Sequence, residues 1–125
     1  MIPKYRMWNK ITSRLHGVDG LYFDSEEVQY KDEVGVLRFI KFENTILMQS
    51  TGLHDKNGKE IFEGDILFGH AGEDFWEIVE FDIEEGKWIR KDIWYNSKLD
   101  LSEYNESMEI VGNIYENPEL LEVKG

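Results

Sequence analysis

Three histidines, His16, His54 and His70, are the side chains best able to hold a metal or move a proton near neutral pH. No two of them stand at the spacing of a ligand pair. Only His70, with Glu73 and Asp74, could be drawn as a cluster, and a loop histidine beside loop acids reads first as a solvated group. Asp55-Lys56-Asn57-Gly58 is like the opening of a calcium loop, but the later ligand positions and the closing Glu are missing. Pairs such as Glu63 and Asp65, or Glu80 and Asp82, follow from density alone, since the chain holds 26 Asp and Glu. A general acid needs a dry pocket that raises its pKa, whereas acids on strand edges and turns sit in water and discourage edge-to-edge aggregation. There is no phosphate loop, no dinucleotide-binding glycine pattern and no nucleophile elbow. There is also no Cys, which excludes disulfides and thiolate metal sites. These residues predict no catalytic centre, no metal and no cofactor.

Whatever the side chains do, strands must position them. Hydrophobic residues recur with a period of two along nearly the whole chain. Segment 2–8 reads as a strand with Tyr5 and Met7 on one face and Lys4, Arg6 and Trp8 on the other. Further strands are expected at 27–30, 34–42, 45–49, 66–68, 74–83, 87–95 and 107–115. In 34–42, Val36, Arg38, Ile40 and Phe42 alternate with Leu37, Phe39 and Lys41. Asn57-Gly58 is the clearest turn, because both residues tolerate the positive φ that a tight reversal demands. Glu84-Glu85-Gly86 turns 74–83 back into 87–95. The stretch 96–106 is polar and reads as loop or a single helical turn. Asn117-Pro118-Glu119-Leu120-Leu121 places a capping residue, then Pro, then an acid, as a short terminal helix would. The predicted class is mainly β (α+β at most), as a small barrel or strongly bent antiparallel sheet with a short C-terminal helix.

At 125 residues the chain is one domain's length, and its 17 aromatic residues can fill a core without disulfides. No apolar run approaches the roughly 20 residues of a membrane helix, and Met1-Ile2-Pro3-Lys4-Tyr5-Arg6 lacks the apolar stretch of a secretion leader. A cytoplasmic address and no membrane association are expected. The net charge of −12 is uneven: residues 1–42 hold seven Lys and Arg against six acids, while 43–125 hold seven against twenty. Such an acidic body repels nucleic acid, so no direct nucleic-acid binding is expected. The first sixteen residues hold Lys4, Arg6, Lys10 and Arg14 and no acid.

The block Leu47-Met48-Gln49-Ser50-Thr51-Gly52-Leu53-His54-Asp55-Lys56-Asn57-Gly58-Lys59-Glu60-Ile61-Phe62-Glu63-Gly64-Asp65-Ile66 resembles the signature of the YopX family. So do the opening Pro3-Lys4-Tyr5-Arg6-Met7-Trp8-Asn9-Lys10 and the closing Ile110-Val111-Gly112-Asn113-Ile114-Tyr115-Glu116-Asn117-Pro118-Glu119-Leu120-Leu121. The resemblance implies one YopX-like domain over 1–125, with an N-terminal β subregion at 1–44 and a barrel-like core at 45–125. It further implies a phage or prophage protein in the bacterial host cytoplasm, a C-terminal half like a Src-homology-3 barrel, and assembly into a homo-oligomer. It implies no biochemical activity. Residues between about 17 and 44 fall outside the family blocks, and His54 stands where the family pattern usually has Lys. The motif positions Thr51, Gly52, Leu53, Asp55, Asn57, Gly58, Gly64, Asp65, Gly112, Asn113, Tyr115, Asn117 and Pro118 read as residues that specify turns rather than bind a ligand.

Segments 74–83 and 87–95 carry large apolar groups on both faces, so one face must be covered either by residues 1–42 or by another subunit. Trp76, Trp88 and Trp94 are therefore the expected interface residues of a homo-oligomer that weakens at high salt. The leading functional expectation is a phage accessory protein that binds protein partners, of host or phage, including copies of itself. The alternative is an acidic nucleic-acid mimic, whose −12 charge equals that of about six base pairs of duplex.

Overall fold

A computed structural model describes residues 4–122, and 54% of it is strand and 12% helix. The chain forms two compact units, residues 1–49 and 50–125.

In the first unit, β1 (Tyr5–Asn9) pairs antiparallel with β2 (Arg14–Gly17) on one side and with the start of β6 (Thr45–His54) on the other. Residues 2 and 3 of the strand expected at 2–8 lie outside the described residues. The β1–β2 reversal is built by Asn9, whose Oδ1 accepts the N–H groups of Ile11 (2.9 Å) and Thr12 (3.2 Å). Residues between 17 and 44 form a second, three-stranded antiparallel sheet of β3 (Gly20–Tyr22), β4 (Glu27–Lys31) and β5 (Leu37–Lys41). Asp32 shapes the β4–β5 turn by accepting the N–H groups of Val34 (3.1 Å) and Val36 (2.9 Å). Period-two patterning decides which face is dry: Met7, Val28, Tyr30 and Ile40 form a buried cluster.

In the second unit, the remainder of β6 pairs with β7 (Glu60–Phe62). A five-stranded antiparallel sheet follows, in the order β11 (Lys98–Asp100), β10 (Lys87–Asp92), β9 (Asp74–Asp82), β8 (Asp65–His70), β12 (Glu109–Asn113). It curls into half a barrel, so the mainly β, strongly bent sheet read from the sequence is what forms. Ile61, Leu67, Val79, Leu101 and Met108 form its buried cluster. β10 ends sooner than the expected 87–95, because Asp92 Oδ1 accepts the N–H groups of Trp94 (2.8 Å) and Tyr95 (2.7 Å) and turns the chain. The polar stretch 96–106 holds β11 and the single α-helical turn α1 (Leu101–Tyr104). The terminal helix is one 3₁₀ turn, Pro118–Leu121.

Candidate functional site

Three features of the described residues are built tightly enough to have a role. The first is the turn block of the central motif. Asp55 is buried, and its carboxylate accepts the N–H groups of Asn57, Lys59 and Ile110, each at 2.9 Å. Burial opposes its charge, yet those donors together hold its pKa below the ordinary carboxylate value. Gly58 supplies the positive φ of +78° that closes the reversal. Thr51 Oγ1 donates to the Ile61 carbonyl (2.7 Å) and accepts the Leu53 N–H (3.1 Å), while Ser50 Oγ, bonded to Glu60, accepts the Gly52 N–H (3.1 Å). Asp65 accepts the Phe62 N–H (2.8 Å) across the turn at Gly64. At the other end of the unit, Asn113 Oδ1 accepts the N–H groups of Tyr115 (3.0 Å) and Glu116 (2.9 Å), and Asn117 Oδ1 accepts that of Asn113 (3.2 Å). Pro118 then opens the 3₁₀ turn. These side chains bond main-chain groups, and Ser50 and Asn113 also bond the side chains of Glu60 and Glu116.

The second feature is a cleft of about 490 Å³ in the second unit, walled by Phe75, Leu99 and Tyr104. On its lining lies a buried ion pair: Arg90 Nη1 donates to Glu77 Oε1 at 2.6 Å, with residue exposures of 3% and 2%. Arg90 Nε donates to the Asp100 carbonyl (3.3 Å), and its guanidinium lies 4.8 Å from the Tyr104 ring centre. Burial raises the Glu77 pKa, Arg90 opposes that, and the charge of Asp92 adds to it. A raised carboxyl in a cleft is a group that can hold a proton, but here its oxygen already accepts a guanidinium hydrogen bond. The arrangement is suited to stabilising the sheet. Glu77 and Arg90 were not singled out from the sequence, although the Glu84-Glu85-Gly86 turn sets the register that brings Val79 opposite Arg90 and leaves Glu77 one step diagonal.

The third feature is the outer face of the β3–β4–β5 sheet in the first unit. Tyr22, Leu37 and Phe39 are 46%, 49% and 53% exposed on that face, with Tyr22 and Phe39 ring centres 5.9 Å apart. Next to them the β4–β5 turn exposes Val34 and Val36. By contrast, Trp76, Trp88 and Trp94 are each only partly exposed. Trp76 packs on Phe68 at 4.7 Å and Trp88 on Phe81 at 5.1 Å between ring centres. Of the basic residues at the start, Arg6 lies in β1, Arg14 in β2 and Lys10 in the turn between them. There Lys10 Nζ donates to the Glu43 carbonyl (3.0 Å) and Arg14 meets Glu33 at 3.4 Å. His70 Nδ1 meets Asp74 at 2.7 Å with both side chains in water. Among the described residues no group of three or more His, Cys, Asp or Glu comes together as metal ligands would.

The model of the family described as YopX protein matches residues 4–122. The chain belongs to the YopX family. The fold agrees: protein EF1440 from Enterococcus faecalis superposes with a TM-score of 0.65 at 29% identity, over 97% of this chain and 99% of that one. YopX from Bacillus subtilis superposes with a TM-score of 0.64 at 20% identity, over 98% of each chain. No curated protein matches the chain. In this YopX-family chain the central and closing motif residues therefore map onto the turns described above, and the family match also takes in the sheet of residues 20–41.

Proposed function

We propose that this YopX-family chain is a phage or prophage accessory protein that works without catalysis, in the bacterial host cytoplasm, by binding protein surfaces, copies of itself among them. The observation that carries this reading is the exposed apolar face of the first unit, where Tyr22, Leu37 and Phe39 lie side by side in water. Aromatic and aliphatic groups gathered on one sheet face are the composition of an interface core. Charge supports the same face: residues 1–49 hold seven Lys and Arg and seven Asp and Glu, so the net −12 lies wholly in residues 50–125. Like chains meet least repulsion where they are neutral. Sedimentation velocity over a micromolar to millimolar series tests this. Species heavier than 14.8 kDa that grow with concentration are expected, and a single 14.8 kDa species throughout would refute self-binding.

The second reading, an acidic nucleic-acid mimic, draws on that same confinement of charge to residues 50–125. It requires that the protein compete with duplex DNA for a basic partner, and a competition assay with such a partner decides it.

A further inference from the structure

Antiparallel strands alternate between residue pairs that exchange both main-chain hydrogen bonds and pairs that exchange none. At the two ends of the β4–β5 pairing, the Phe42 N–H donates to the Glu26 carbonyl (2.8 Å) and the Asp32 N–H donates to the Val36 carbonyl (2.9 Å). Stepping inward by two from either end gives the same bonded pairs, Val28 with Ile40 and Tyr30 with Arg38. Leu37, Phe39 and Lys41 must therefore turn their main-chain N–H and C=O groups away from β4. Among the described residues β5 ends the strand order of its sheet, so those groups lie along an open edge. Their side chains are exposed too, on the face opposite the buried Val28, Tyr30 and Ile40.

Edges of this kind are usually protected by Pro, by a bulge or by inward charge. β5 has no Pro, and its register with β4 runs without a shift. Its cations are already engaged: Arg38 Nε donates to Asp32 at 2.7 Å, and Lys41 Nζ donates to the Ser25 carbonyl at 3.0 Å.

We propose that the β5 edge pairs antiparallel with β5 of a second copy, in a register centred on Phe39. The proposal rests on the self-binding reading above and gives it an edge and a register. In that register Phe39 faces Phe39 of the second copy, and Leu37 faces its Lys41. Every outward N–H on one copy then meets an outward C=O on the other, because the residues that face each other are all outward-bonding ones. Arg38 faces Ile40, so no cation opposes a cation, which cross-strand pairing penalises. The two Phe39 rings lie side by side and join the Tyr22 rings into one apolar strip. A shift by one residue would set outward-bonding residues against inward-bonding ones and lose the ladder. The contact is isologous, as a two-fold dimer requires.

The absence of cysteine makes the test direct. Facing residues of a bonded antiparallel pair have Cα atoms about 5.5 Å apart, within reach of a disulfide. Phe39→Cys is expected to give a covalent dimer on mild oxidation, while Ile83→Cys, on a residue 87% exposed in the second unit, is not. Phe39→Lys sets ammonium against ammonium and should weaken association by about tenfold or more. Phe39→Pro removes an outward N–H but no bond to β4, and should do the same with an unchanged circular dichroism spectrum. If wild-type chains associate and both substitutions leave that association intact, the edge is wrong and self-binding lies elsewhere. If wild-type chains never associate, self-pairing and the reading beneath it both fall, and the open edge is left for a foreign strand.

Discussion

Asp55 shows how one carboxylate can fix a fold. Its three main-chain donors come from two places in sequence, Asn57 and Lys59 in the turn and Ile110 in the last strand region. Asp55→Ala strands all three N–H groups and should cost about 2–4 kcal/mol in a denaturant titration, with Asp55→Asn intermediate. Because its folded pKa is depressed, the stability it contributes is present above the ordinary carboxylate pKa and is lost as pH falls through the folded value. Asp55→Asn should therefore flatten the acid limb of the stability curve. Glu77 and Arg90 make the opposite case. Arg90→Met leaves a buried carboxyl alone and should cost about 3–5 kcal/mol, whereas replacing both by apolar residues should restore most of it. With Arg90 gone, burial keeps the Glu77 pKa raised, so the loss should deepen as pH rises through that value. The Asp55 turn was legible because Asn-Gly is a local signal. The ion pair was not, because it depends on a register that only the folded hairpin makes visible.

Among the elements, alternation carried most of the fold. Val28 and Tyr30 point inward from β4, and Ile40 meets them from β5, as a period of two requires. What alternation cannot find is a three-residue strand, so β11 falls within a stretch that reads as loop or a single helical turn, and only the helical turn of α1 answers to that reading. It also cannot say where a strand edge is left open, since that depends on which strands become neighbours. The closing motif gives a prediction at this scale. A Cβ on Gly112 would collide with the Asn117 side chain that caps the Asn113 N–H, whereas one on Gly17 meets nothing within 4 Å. Gly112→Ala should lower stability by about 1–3 kcal/mol and Gly17→Ala should leave it nearly unchanged, as thermal melts would show.

For the whole molecule, charge sets the expectations. With −12 confined to residues 50–125, duplex DNA should not be bound tightly at physiological salt. Sub-micromolar, salt-dependent retention in a filter-binding assay would contradict this. Of the early basic residues, Arg6 lies in β1, Arg14 in β2 and Lys10 in the turn between them. Association through β5 of the net-neutral first unit should strengthen as salt rises, because screening removes repulsion between the acidic units. A dissociation constant that grows with ionic strength would return the contact to opposite charges, as the sequence alone suggested.

The two edges of the small sheet are unequal. β3 is three residues long, while β5 offers a five-residue ladder. A chain that could extend at both ends would polymerise without limit, as amyloid does. Here one end is too short to template growth, and under the proposed pairing the other would be consumed when it meets its own image. Growth along this sheet would then halt at a pair, and any larger particle would have to be assembled through different surfaces.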